Sequence, residues 1–299
     1  MKHTFNVTLV LVGVFLLAQV VGLAITNSYV DSAKTEETGV ISFKELPLNV
    51  QRPDIDESQS YIFIMGALLI GTALVLLLIK LRGLNIWRFW FFLAASLCLT
   101  IAFGAFIHPV AALLLAVALA IFKVYRPNFY VHNFTEVFIY GGLAAIFVPI
   151  MNFFAIVIVL LVISVYDMIA VWQSKHMIKM AEFQSESNVF AGINVPYSFQ
   201  DMKKITLSTP KKRAKSGKKT EYKMRARTAI LGGGDIGFPL LFAGVLMKSY
   251  GFWKVLVVPV VVAVALFLLL YYAKKDKFYP AMPFLTAGCF VGYFMLLLM

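Results

Sequence analysis

Uncharged apolar runs of about 20 residues recur along the whole chain, and that is the length a helix needs to cross about 30 Å of hydrocarbon. Thr4–Val30 holds one such run and Ser58–Ile79 a second. Phe89–Phe122 is 34 residues without a charge, too long for one helix, and His108-Pro109 divides it into two short spans. Val137–Ser174 has the same form: Pro149 and Asn152 mark a turn between two helices. Thr228–Met247, Val255–Ala273 and Phe278–Met299 complete the pattern. The reading is an all-α polytopic membrane protein of nine transmembrane helices. Three segments follow: residues 1–174 with spans one to six, a loop over 175–227, and residues 228–299 with spans seven to nine. The apolar part of the first run, Val7 to Ile25, exceeds a signal peptide's 7–15-residue core and is expected to stay as an anchor.

Composition agrees. Of 299 residues, 61% are hydrophobic and 14% charged, where soluble domains carry about 25% charged residues. Cys98 and Cys289 lie inside apolar runs, so neither a disulfide framework nor a cysteine metal site is indicated. The net charge of +12 raises nucleic-acid binding, but its distribution argues for topology instead. The loop 31–57 holds seven acids and three bases, whereas bases collect after spans two, four and eight and in the 175–227 loop, which has thirteen bases and four acids. By the positive-inside rule the N-terminus is cytosolic and the C-terminus outside; only Lys248 and Lys254 run against the pattern. The basic run TPKKRAKSGKK (209–219) reads as a cytosolic loop rather than a nucleic-acid site, and 176–190 as a candidate interfacial amphipathic helix. The triplets NVT (6–8) and NFT (133–135) match a glycosylation pattern but belong to the cytosolic face.

The acids carry the candidate chemistry. Thirteen of the fifteen fall in the two loops or, as with Glu136 and Asp276, at helix ends, leaving Asp167 and Asp235 as the two deep in spans. A carboxylate costs several kcal/mol near a bilayer centre, so such a residue is a functional-site hypothesis. Asp167 lies six residues before Gln173 and Asp235 seven after Thr228; at 1.5 Å per residue both sit about 10 Å below the cytosolic surface. Two such carboxyls facing each other share a proton, giving an acid and a base side by side. That pair can activate water against a peptide carbonyl and protonate the leaving nitrogen. No histidine is near either aspartate in sequence, and neither a metal nor another cofactor is expected. Gly232, Gly233 and Gly234 strip side chains from the approach to Asp235. FYPAMPF (278–284) carries Pro280 and Pro283, which predict either an unwound entry to span nine or a helix started by proline.

Together these residues resemble the presenilin and signal peptide peptidase family of intramembrane aspartyl proteases. Tyr166-Asp167 is similar to its YD motif, Gly232-Gly233-Gly234-Asp235 to its GxGD motif, and Pro280-Ala281-Met282 to its PAL motif, with methionine where the family has leucine. The resemblance implies that Asp167 and Asp235 are the catalytic pair and that Tyr166, Gly232, Gly234, Pro280, Ala281 and Met282 shape the site. It implies a protease that hydrolyses peptide bonds within transmembrane helices of membrane proteins, its partners being those substrates and the lipid bilayer. The N-inside orientation is that of presenilins, and the compact chain resembles a microbial homologue in the cell membrane, able to act alone. Two other readings stay open on the residues: a transporter or ion channel using the buried acids as an ion or proton site, and a prepilin-type peptidase, which also carries GxGD.

Overall fold

The computed structural model describes residues 5–81, 83–126, 128–174, 189–196, 228–273 and 279–299. The chain is mostly helical. Its long helices are α1 (Phe5–Ser28), α2 (Ser60–Lys80), α3 (Leu84–Gly104), α4 (Pro109–Tyr125), α5 (Phe129–Phe147), α6 (Phe153–Ile169), α7 (Gly233–Tyr250), α8 (Val257–Tyr272) and α9 (Met282–Leu297). Among the described residues, six helical segments are long and apolar enough to cross a membrane: Phe5–Ser28, Ser60–Lys80, Leu84–Gly104, Phe129–Ile150, Phe153–Trp172 and Phe252–Tyr272. Pro109–Tyr125 and Met282–Leu297 are apolar but shorter.

Breaks between helices fall where the local chemistry dictates. His108 caps α4 and Pro109 occupies its first turn, where a missing N–H costs nothing. A short 3₁₀ turn, Val148–Ile150, ends α5, and the Asn152 side chain accepts from Ala155 N to cap α6. These confirm the sequence divisions at His108-Pro109 and Pro149–Asn152.

α7 is the central helix. Every residue from Pro239 to Met247 is buried, as expected of a helix hydrophobic all round, and it touches α1, α5, α6, α8 and α9. α1 runs beside it, burying Leu11, Phe15, Ala18 and Leu23 against α5, α7 and α8. α2 lies at the rim: only Ser60 in it is buried. The acidic loop after α1 explains one exception to the charge pattern, because Lys248 Nζ pairs with Glu57 Oε1 at 3.0 Å and donates to Met151 O at the same distance.

Two expectations need correction. The chain is not all-α: Gly192–Pro196 (β1) and Thr228–Gly232 (β2) form an antiparallel two-stranded sheet, Gly192 opposite Gly232 and Pro196 opposite Thr228. The first five residues assigned to span seven are therefore strand, and α7 begins at Gly233. Burial alternates along both strands as a one-sided sheet requires: Ile193, Val195, Ala229 and Leu231 face the core, while Ile230 is exposed. The basic run 209–219 and residues 176–188 of the amphipathic segment lie outside the described residues.

Close helix packing depends on small residues. A Cβ on Gly142 would run into the backbone carbonyl of Cys98, where α5 crosses α3, whereas one on Gly13 would meet open space. Gly142→Ala is therefore expected to lower stability by about 1–3 kcal/mol through overpacking, and Gly13→Ala to change it by no more than about 1 kcal/mol. Thermal unfolding of both in the same detergent checks this; equal melting temperatures would refute the close crossing.

Candidate active site

α6 and α7 run antiparallel and bring Asp167 and Asp235 to the same end of the bundle. Asp167 stands two residues before the end of α6 and is 8% exposed; Asp235 is in the first turn of α7. The two carboxylates lie within electrostatic reach of each other. Beyond Asp167 the helix widens into a π-turn, Ala170–Ser174, with Ala170 N–H shared between Tyr166 O and Asp167 O. Such turns are rare and are found frequently at functional sites.

The chain entering α9 supplies the third wall. Tyr279–Ala281 is not helical, and α9 starts at Met282 with Pro283 in its first turn. Both sequence readings of this stretch hold, each on its own proline: Pro280 sits in the unwound part and Pro283 starts the helix. The consequence is chemical. Met282 N, an orphan donor at a helix start, donates to Asp167 Oδ2 at 3.1 Å. Ala281 N also faces that carboxylate. Pro280 and Met282 are buried and Ala281 partly so. One turn before Asp167, Ser164 Oγ and Thr286 Oγ1 are hydrogen-bonded at 2.8 Å, fixing α9 against α6. Tyr166 is partly buried beside Asp167.

Around Asp235 the glycines differ in use. Gly232 ends β2, its N–H faces the Asp235 carboxylate, and a Cβ there would lie 3.3 Å from Asp235 Oδ2. Gly233 is the crowded position, since a Cβ would lie 2.7 Å from Tyr140 Oη. A Cβ on Gly234 would lie 3.5 Å from the Phe238 ring. From α1, Gln19 Nε2 donates to Ile236 O across 2.7 Å.

The reading that only two acids lie deep in spans fails at Glu136. It sits seven residues into α5, not at its end, is 1% exposed and pairs with Lys123 Nζ at 2.7 Å. Its other oxygen accepts from Tyr140 Oη and from Gly192 N (3.1 Å). His132 Nε2 lies 2.8 Å from Gly192 O. Asn133 grips the next outward-facing residue of β1: its amide accepts from Asn194 N (3.0 Å) and donates to Asn194 O (2.8 Å). That engagement, with Thr135 fully buried, removes NFT as a glycosylation acceptor. The signal for Glu136 was available: counting 1.5 Å per residue from Phe129 puts it about 10 Å into the helix, the depth assigned to Asp235. What hid it was the assumption that the span begins at the first uncharged residue after Glu136.

A family model described as signal-peptide peptidase, presenilin aspartyl protease matches residues 12–299. No curated protein matches the chain. A solved structure reported as a presenilin family intramembrane aspartate protease in a C222 crystal form is similar over 97% of this chain and 98% of its own, at 20% identity and a TM-score of 0.59. A second, described in the same words in a P2 form, covers 99% of this chain and 97% of its own at 20% identity and a TM-score of 0.58. At that identity the likeness is one of fold.

The Asn133 clamp is testable apart from any chemistry. Asn133→Leu removes two hydrogen bonds from the outer edge of β1, a local loss of about 1–3 kcal/mol. Amide exchange over 192–196 and 228–232 is expected to speed up, with exchange in α8 unchanged. Unaltered exchange in the sheet would show that Asn133 does not hold it.

Proposed function

This chain belongs to the signal-peptide peptidase and presenilin aspartyl protease family, and from that premise we propose that Asp167 and Asp235 are its catalytic dyad. The protein is an intramembrane aspartyl protease, an integral multi-pass membrane hydrolase whose substrates are membrane proteins. The observation that carries the residue assignment is the meeting of three separate segments at one point: the end of α6, the first turn of α7 and the unwound entry to α9, with Met282 N–H on Asp167.

In the working state one carboxyl is neutral and the other ionised, since two charges so close do not coexist in a low dielectric. The ionised member takes a proton from water as the oxygen attacks the peptide carbonyl; the neutral member then protonates the departing nitrogen. A helical substrate hides that carbonyl in its own hydrogen bonds, so a segment of it must unwind first. β2 offers it a partner. The outer edge of β1 is occupied by Glu136, His132 and Asn133, whereas Ile230 on the outer edge of β2 has no backbone partner among the described residues. An extended peptide can add to such an edge, three to five residues before Asp235. Tyr166, Gly232, Gly234, Pro280, Ala281 and Met282 shape the walls around it. Asp167 and Asp235 as an ion or proton site of a transporter is not supported.

The topology we propose has nine spans with the N-terminus cytosolic and the C-terminus outside. Residues 1–174 contribute Asp167, 228–299 contribute Asp235 and the Pro280–Met282 stretch, and 175–227, apart from β1, form a basic cytosolic loop. This compact enzyme works in a microbial cell membrane, on single transmembrane helices.

Asp167→Asn and Asp235→Asn are each expected to abolish cleavage of a transmembrane peptide while leaving melting temperature unchanged or higher. In the wild type the rate should rise and fall with pH, because only the singly protonated pair works and the two titration steps belong to it jointly. Cleavage by either folded variant, or a rate flat from acid to neutral pH with chemistry limiting, counts against the dyad.

A second expectation concerns the entry to α9. Replacing Pro280 and Pro283 together with alanine lets the helix extend backward, and Met282 N–H is then consumed within it instead of facing Asp167. Stability should hold or rise, yet kcat should fall at least about tenfold through misplacement of the carboxylate. Melting and cleavage measured on one double-variant preparation decide it: full activity would reduce the prolines to punctuation.

A further inference from the structure

Buried ion pairs are weak devices for stability. Removing two charges from water costs several kcal/mol per ion, and apolar replacement of both partners is often neutral or stabilising. The pairing of Lys123 with Glu136, each 1% exposed in its side chain, therefore asks for another use. Its surroundings supply one.

The Glu136 carboxylate is divided. Oε1 takes the Lys123 ammonium at 2.7 Å. That leaves Oε2 for two donors on its other side, Tyr140 Oη and Gly192 N. A backbone N–H can only donate, so Oε2 is an acceptor there. Lys123 in turn donates to Thr135 Oγ1 (3.1 Å) and His132 O (3.3 Å) and lies 3.3 Å from His132 Nδ1. The other ring nitrogen of His132 reaches Gly192 O. Both polar groups of the Gly192 backbone are thus held by α5 side chains. Gly192 itself has φ +142°, and a Cβ there would strike Leu231 O and the Phe190 ring, so its place admits glycine alone.

Two routes lead from this cluster to the first turn of α7. Ala191 O, beside the gripped Gly192, accepts Gly233 N at 3.2 Å. The Tyr140 hydroxyl, held by Glu136, rests against Gly233, while its ring lies along Gly237. Gly233 is two residues from Asp235, and Tyr140 is within electrostatic reach of that carboxylate. From this geometry we propose that Tyr140 and the Lys123–Glu136 pair are positioning residues for Asp235, acting through strand β1 and Gly233. The proposal rests on the assignment of Asp167 and Asp235 as the dyad. None of the three residues touches the scissile bond; they set the rotation and register of the turn that presents the carboxylate.

The alternative is a fastener that only holds α4, α5 and β1 together, and kinetics separates the two. In the full chain, Lys123→Met with Glu136→Gln removes both charges but keeps an oxygen able to accept from Gly192 N–H and Tyr140. Lys123→Met with Glu136→Leu removes both charges and the acceptor. Tyr140→Phe removes the hydroxyl alone. Each is assayed for melting temperature and for kcat and KM on a transmembrane peptide, beside Asp235→Asn. The positioning role predicts that the K123M/E136Q pair, which keeps the acceptor but loses the lysine that holds it, retains clearly more kcat than K123M/E136L. K123M/E136L and Y140F should lose about tenfold or more in kcat, with KM within about twofold because uniform substrate binding is untouched. Equal kcat in the Gln and Leu pairs, or wild-type kcat in Y140F, overturns it. Where the Leu pair fails to fold, Y140F alone decides. Cleavage surviving in D235N would instead overturn the dyad, and this proposal with it.

Discussion

A backbone that leaves the helix inside a membrane protein must find its hydrogen bonds in other protein groups, because hydrocarbon offers none. Much of the described non-helical backbone around the two aspartates meets that requirement. β1 and β2 satisfy each other on their shared edge. The outer edge of β1 is satisfied by Glu136, His132 and Asn133, and the unwound Ala281–Met282 amides turn to Asp167. The non-helical pieces are tolerated because polar side chains were brought to them, and those pieces are what surround the two aspartates.

That arrangement makes α7 the pivot of the molecule. Its Pro239–Met247 stretch is buried on all sides and fixed by shape. Its first turn is not: Gly233, Gly234 and Gly237 give it little side-chain packing of its own. The turn is held from outside, by Gln19 on Ile236 O, by Ala191 O on Gly233 N and by Tyr140 against Gly233. A rigid core beside a first turn tied down by directional bonds suits the accurate placement proposed for the Asp235 carboxylate.

Polar side chains within the bundle divide the same way. Some tie the segment that follows α1 to the helices, such as Tyr29 Oη donating to Ile101 O (2.7 Å) and Arg52 Nε to Ala145 O (3.2 Å). Others, such as Ser164 with Thr286, stand one turn from Asp167 and set the spacing of α6 and α9. Shape brings the helices together, and these bonds select their register.

The sequence by itself determined the membrane class and the helix divisions at His108-Pro109 and Pro149–Asn152, and it singled out Asp167 and Asp235 as candidates. These are signals of composition, local capping and cost: a charge in an apolar run is expensive wherever it lies, so it can be recognised without knowing its neighbours. It also located Pro280–Met282, because proline restricts its own backbone. Only the tertiary structure decided that Thr228–Gly232 is a strand, since three apolar residues do not distinguish helix from strand and the partner strand lies about thirty residues earlier in the chain. Only the tertiary structure made Glu136 a buried acid with three residues hydrogen-bonded to its carboxylate. Tyr140, one turn on in α5, is a partner that helical spacing records, but Lys123 and Gly192 come from α4 and β1, and no sequence spacing records that packing will bring them to the same carboxylate.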